Sequence, residues 1–390
     1  MASSNKVHKR ALIIHPEGNT FSNPSLKCIV DLLIEKGFTV DIRHCISPSV
    51  MPDREGIRYF PYGKIYRKVK SFVFDRWINR VLMYISVAWE NTVHYKNNDV
   101  IIAVDRLGLI EAYILNKLTK TPYIFISFEI MFAEETSREF KGIEKTASKN
   151  IKGWVAQDSD RANALVIENG LSVSNLFTLP LASSKNGTLQ TKRLRDILGI
   201  NPDKKVAIAI GSMEDWTMIN EVLASVGKWP DDWCLIIHDR YGDTGNTLKK
   251  SGIDITQMIN KKIFISNKSA DAVDDLGAIL SGVDVGLTFY KPLYTSPFVG
   301  KNLEILGLAS GKISTHLRYG IPVIMNNIGM YAAEATKHKF GLVIDHPDSL
   351  ADCLAVGIPE DTSQHAIDYF SRILDFDNYK EELYNRLFST

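Results

Sequence analysis

Apolar positions along this chain come in short unbroken runs, separated by longer stretches of helical periodicity. In the first half the runs are Ala11–His15, Thr39–His44, Asp99–Val104, Tyr123–Ser127, Gly153–Asp158 and Leu176–Pro180. In the second half they are Val206–Ile210, Cys234–Asp239, Ile263–Ser266, Asp284–Tyr290, Pro322–Met325 and Leu342–Asp345. Continuous apolar runs of this length fit strands covered on both faces, as in parallel sheets. Their alternation with helices predicts βαβ units, hence an α/β fold of two doubly wound, Rossmann-like domains facing across a cleft.

The polar, turn-rich segment Ser183–Lys205 separates the two sets and is the predicted linker. The domains are accordingly expected at residues 1–184 and 185–365. Residues 366–390 form a terminal helix packing back toward the first domain. The chain has 390 residues, 45% hydrophobic and 23% charged, which suits a soluble globular protein with two cores. A net charge of +1 gives no overall field for nucleic acid, and none is expected as a partner. Cys28, Cys45, Cys234 and Cys353 form no Cys-x-x-Cys pair and sit in or beside apolar stretches, as reduced core thiols do. The N-terminus lacks a signal-type apolar core, and no apolar run approaches the length of a membrane span, so a cytoplasmic location is expected.

One short stretch carries the chemistry. "LASGKISTHLRYGIPVIMNN", Leu308–Asn327, predicts a helix capped by Ser310, ended by Gly320 and followed by a strand opening at Pro322. Ile313 and Leu317 share a core-facing side, while Lys312, Thr315 and Tyr319 share another. A lysine in the first turn opposes the helix dipole. An anion at the helix start reverses that penalty, because the dipole, the unpaired amides and the ammonium then converge on one phosphate. Against this stands the simpler reading of a surface lysine curling back into water.

The block Ser310-Gly311-Lys312-Ile313 followed by Gly320-Ile321-Pro322-Val323-Ile324 resembles the C-terminal domain of GT-B glycosyltransferases, in the retaining, nucleotide-sugar-dependent bacterial branch. "GWVAQDSDRANALVIENGL", Gly153–Leu171, is similar to that family's last acceptor-domain unit. The family's Glu-x7-Glu pair is not kept, since Gly307 and Thr315 occupy those places. The resemblance implies a hexosyltransferase-like enzyme that moves a sugar from a nucleotide-diphosphate donor to an acceptor hydroxyl, in polysaccharide or glycoconjugate synthesis. It further implies retention, no metal and no cofactor beyond the nucleotide-sugar co-substrate. No Asp-x-Asp metal motif is found, and no catalytic base is identified.

Donor contacts are expected from Gly211, Ser212, Ser310, Gly311, Lys312 and Thr315, and, from their places at strand exits, from His238, Lys301 and Asn302, with Lys312 and Lys301 stabilising the leaving group. Gly18, Asn19 and Glu129, at strand exits of the first domain, are the acceptor or cleft residues. For His238 a structural role weighs equally, and Lys291 is read as a solvated loop residue. Residues 64–95 carry an amphipathic pattern with a stripe including Val81 and Tyr84, preceded by many basic positions. A core-packing helix is the simpler reading; docking on anionic lipid at the inner membrane face, next to a glycan or lipid-linked acceptor, is the functional one. A nucleotide-sugar epimerase and an inactive GT-B scaffold are the competing functions.

Overall fold

The computed structural model describes residues 9–16, 18–44, 53–63, 81–82, 84–89, 97–191, 193–239, 256–266 and 275–389. The chain divides into two compact units, Met1–Pro180 with Tyr379–Thr390, and Leu181–Asn378.

The first unit is built on seven parallel strands: β1 (Lys9–Ile14), β2 (Phe38–His44), β3 (Ile57–Pro61), β4 (Val100–Val104), β5 (Tyr123–Ile126), β6 (Gly153–Ala156) and β7 (Leu176–Thr178). Their order is β3-β2-β1-β4-β5-β6-β7. The central strands β1 and β4 are buried throughout or nearly so, which is why their sequences read as unbroken apolar runs. β3 escaped the sequence pattern because it is an edge strand with no fully buried residue. The buried charges on β2 are paired. Arg43 meets Glu111, whose other oxygen accepts from Tyr62, and Asp41 accepts from Arg10 and Arg58.

The second unit has six parallel strands: β8 (Lys205–Gly211), β9 (Trp233–Asp239), β10 (Ile263–Ser266), β11 (Val285–Thr288), β12 (Val323–Met325) and β13 (Gly341–Val343), in the order β10-β9-β8-β11-β12-β13. Alternate residues feed different cores. Ala207, Leu235, Ile237, Leu287 and Ile324 pack on one face with Ile219, Leu223 and Leu350. On the other face Ile208, Ile210 and Ile236 pack with Ile279 and Tyr319, and Val323 and Met325 with Ile313, Leu317 and Tyr331. Both sheets therefore reverse strand order at one point, between β1 and β4 and between β8 and β11, where doubly wound sheets bind ligands.

Two expectations need correction. Ser183–Lys205 is no free linker. It contains the helical turn Leu194–Ile197, and the Arg195 guanidinium donates to the carbonyls of Gly282, Asn201, Pro202 and Lys204. Polar composition here reflects capped turns rather than independence from the core. Tyr319, placed with Lys312 and Thr315 on a side other than the core-facing one, itself belongs to the core. It is buried, and its hydroxyl accepts from the Leu276 amide at 3.0 Å.

The C-terminal segment is shared between the units, with the break falling between Asn378 and Tyr379. The predicted helix at 64–95 lies largely outside the described residues. Of its stripe, Val81 and Tyr84 are described, and they are 43% and 45% exposed instead of packed in a core. Among the described residues no helix is long and apolar enough to cross a membrane.

Candidate functional site

The helix Gly311–Arg318 packs closely over β11. The His316 ring lies so near Gly286 that a Cβ there would come within 2.3 Å of it. Ile313 and Leu317, both fully buried, fasten the same helix to β12 and its neighbours. Ser310 caps it, its hydroxyl accepting from the Ile313 amide at 3.2 Å. Gly320, at φ +70°, turns the chain into β12. The helix start is thereby placed beside the exits of β8 and β11, the reversal point of the sheet.

Lys312 lies across this point. Its Nζ stands 5.0 Å from the centre of the Trp216 ring and 5.6 Å from that of Tyr290. The two rings are stacked, 6.0 Å apart and inclined by 17°. Gly211 ends β8 at φ +105°, which favours glycine, and a Cβ there would fall 2.7 Å from Lys312 Cε and push the lysine aside. Burial lowers the Lys312 ammonium from 10.5 to about 7. Burial also lowers His316, to about 4, so its ring is neutral at ordinary pH; its Nδ1 lies 2.8 Å from the Lys312 carbonyl. Among the described residues no carboxylate or other acceptor engages the Lys312 ammonium.

Three loops are locked around this lysine. The Lys291 amide donates to the Trp216 carbonyl at 2.8 Å, joining the loops after β11 and β8. The Asn326 side chain accepts from the Tyr290 amide at 2.9 Å and donates to its carbonyl at 2.8 Å, adding the loop after β12. Tyr290 and Ser310 hydroxyls share a 2.6 Å hydrogen bond, which ties the ring to the helix cap. What results is a cation and the unpaired Gly311 and Lys312 amides, with no facing carboxylate among the described residues, an arrangement suited to an anion.

The remaining predicted donor residues are placed as follows. Ser212 and Thr315 are half-buried, and Gly311 opens the helix. Lys301 begins the short helix Lys301–Glu304, in which Asn302 is buried. His238 is buried with Nδ1 3.1 Å from the Ser266 hydroxyl. Lys291, read as solvated, pairs with Glu221 at 2.6 Å.

In the first unit, Asn19 caps the turn Thr20–Ser22 by accepting from the Phe21 amide at 2.9 Å. Gly18 lies under the His15 ring, where a Cβ would approach to 2.5 Å. Glu129 is exposed, and its charge helps keep the buried Arg161 protonated against desolvation. Sequence reasoning missed a pair at this sheet's own reversal point. His15 follows β1 and Asp105 follows β4, with Nε2 and Oδ2 3.7 Å apart. Asp105 adopts φ +54°, and its Oδ1 accepts from the Phe128 and Glu129 amides at 2.7 and 2.9 Å. The signal available was position: one residue past each of the two strands flanking the reversal. Trp216 and Tyr290 were missed in the same way, each standing in a loop after such a strand.

Two doubly wound units, each with a residue cluster at its reversal point, define the GT-B architecture. No family model and no curated protein matches the sequence. Solved structures do. The chain is similar to HepE of Anabaena in complex with UDP and glucose (TM-score 0.68, 14% identity), covering 97% of this chain and 99% of that one. It is similar to sucrose-phosphate synthase from Thermosynechococcus elongatus (TM-score 0.69, 13% identity, 98% and 99% covered). It is also similar to WaaG, a glycosyltransferase involved in lipopolysaccharide biosynthesis (TM-score 0.65, 13% identity, 98% and 100% covered). The fold is thus the GT-B fold over essentially the whole chain.

Proposed function

We propose that this protein is a glycosyltransferase that takes a sugar from a nucleoside-diphosphate donor and places it on an acceptor hydroxyl. The observation that carries the reading is Lys312, a first-turn lysine seated at the sheet's reversal point with no carboxylate engaging it among the described residues. As the glycosidic bond of the donor breaks, negative charge grows on the bridging phosphate oxygen. Lys312 and the Gly311 and Lys312 amides supply positive potential there, with Lys301 as a second cation. UDP and UDP-glucose, held by the Anabaena relative, are the first donors to test.

Lys312→Ala tests this directly. Loss of one charge-assisted contact, worth roughly 1.5–3 kcal/mol, weakens UDP binding by about 10- to 150-fold while the circular dichroism spectrum is kept. Calorimetry showing unchanged affinity removes Lys312 from the site. Turnover of a donor panel with acceptor separates transfer from epimerisation, and thermal stabilisation by nucleotide with no turnover in any mixture favours the scaffold reading.

On stereochemistry, the resemblance noted in the sequence favours retention without a metal. His15 and Asp105 favour a second reading, in which His15 takes the acceptor proton and the Asp105 carboxylate, 3.7 Å away, steadies the imidazolium electrostatically. A protein base on the acceptor goes with direct displacement and inversion. The anomeric configuration of the product, together with the activity of His15→Ala, decides between the two. An inverted product and an inactive variant support the dyad; a retained product from an active variant rejects it.

The acceptor is proposed to be a glycan or lipid-linked molecule, reached from the cytoplasmic face of a membrane. Supporting this, Val81, Leu82, Tyr84, Ile85 and Trp89 are all exposed within nine positions. Vesicle flotation should then depend on anionic lipid, and equal partitioning with neutral vesicles would end the idea.

A further inference from the structure

We infer that Trp216 and Tyr290 are positioning residues for the Lys312 cation: their stacked rings hold the ammonium where a diphosphate meets it, without a carboxylate to cancel its charge. The inference rests on the reading of Lys312 as an anion ligand. A lysine at a helix start needs some source of negative potential when no ligand is present. A carboxylate would supply it at the expense of the site, because it would repel the incoming diphosphate. An aromatic face attracts a cation through its quadrupole and carries no net charge. The ammonium stands within cation–π reach of both rings, at 5.0 and 5.6 Å.

The rings are themselves held in place. Tyr290 is clamped through its backbone by Asn326 and through its hydroxyl by Ser310, so its ring moves only with the helix cap. Trp216 stacks on that fixed ring, and its carbonyl is bound by the Lys291 amide. Gly211 lies against the end of the lysine side chain as well. The side chain is thereby confined to the line between the aromatic pair and the strand exit. The same enclosure strips part of the ammonium's hydration and lowers it to about 7.

Other titratable groups on the packed elements do not confuse a measurement above neutrality. His316 is neutral well below this range, and burial raises the Tyr290 hydroxyl far above it. Lys291 is paired with Glu221, and Glu214 and Asp215 are exposed. His238 is hydrogen-bonded to Ser266. The terminal phosphate of UDP, with its last ionisation near ~6, is fully charged above about pH 7.

The test is UDP titration by calorimetry from about pH 6.5 to about pH 9.5, on the full chain. Wild-type affinity should be level up to about pH 7 and then fall roughly tenfold per pH unit, as Lys312 loses its proton. Trp216→Leu lets water reach the ammonium, so the break should move up by at least about one pH unit, toward the ordinary 10.5. Trp216→Phe keeps an aromatic face and should shift the break by less. Should the Leu variant fail to fold, Trp216→Met takes its place, and an unshifted break in that variant overturns the inference. Lys312→Met should bind weakly with no break at all. If Lys312→Met shows no break while Trp216→Leu keeps the wild-type profile, the rings have no positioning role and Lys312 remains the ligand. If Lys312→Met binds UDP as wild type does at every pH, the anion site itself is wrong and the inference falls with it.

Discussion

Replacing Lys312 by Met removes a cation while keeping an unbranched side chain of similar reach, and the stability effect should depend on pH in a defined direction. The folded protein holds the Lys312 proton less tightly than the unfolded chain, about 7 against 10.5. Below about pH 7 both states carry the proton, and the fold bears the full cost of enclosing the charge. Between about 7 and 10.5 the unfolded chain binds more protons, so wild-type stability rises with pH; above 10.5 the cost is gone. At ~1.36 kcal/mol per unit, a fall from 10.5 to about 7 sets a ceiling near ~5 kcal/mol. The side chain keeps part of its surface in water, so we expect roughly 2 kcal/mol. Urea unfolding near pH 6 should show Lys312→Met more stable than wild type by about that amount, with the gap closing near pH 10. A difference that is the same at both pH values would refute the enclosure of the charge. A Met variant less stable near pH 6 would mean that the rings stabilise the cation by more than burial penalises it.

Three further substitutions test the frame around the lysine. Ser310→Ala removes the helix cap and leaves the buried Tyr290 hydroxyl without its partner, so it should cost about 1–3 kcal/mol and weaken UDP binding; an unchanged melting temperature would contradict both roles. Gly211→Ala combines φ +105° with a Cβ 2.7 Å from Lys312 Cε. It should cost upwards of ~1 kcal/mol and displace the lysine, and UDP affinity equal to wild type would show the space to be available after all. Gly286→Ala drives a methyl into the buried His316 ring and should destabilise by about 1–3 kcal/mol in denaturant melts; a neutral outcome would mean that the helix does not depend on this contact for its height over β11.

The doubled α/β plan was legible in residue order because parallel strands covered on both faces must be apolar without interruption, and twelve of the thirteen described strands coincide with an apolar run of the sequence. The edge strand β3, with no buried residue, carried no such signal. β7, an edge strand too, was legible because its neighbours Leu179 and Pro180 prolong the apolar run. The site was legible in part. Ser310, Gly311 and Lys312 form one local motif whose cap, turn and misplaced charge can be reasoned about along the chain. Trp216 and Tyr290 lie 96 and 22 residues before Lys312, and nothing local marks either as its partner.

What the amino-acid order determined by itself was therefore local: strand periodicity, the Ser310 cap, the Gly320 turn and a lysine at odds with its own helix dipole. Tertiary structure decided the environment of that lysine. Burial depth, ring faces and the absence of a Cβ at Gly211 come from segments brought together only when β8, β11 and β12 align. A pKa depends on which groups surround the ammonium in space and how much water they displace, and neither quantity is a property of nearest neighbours in sequence.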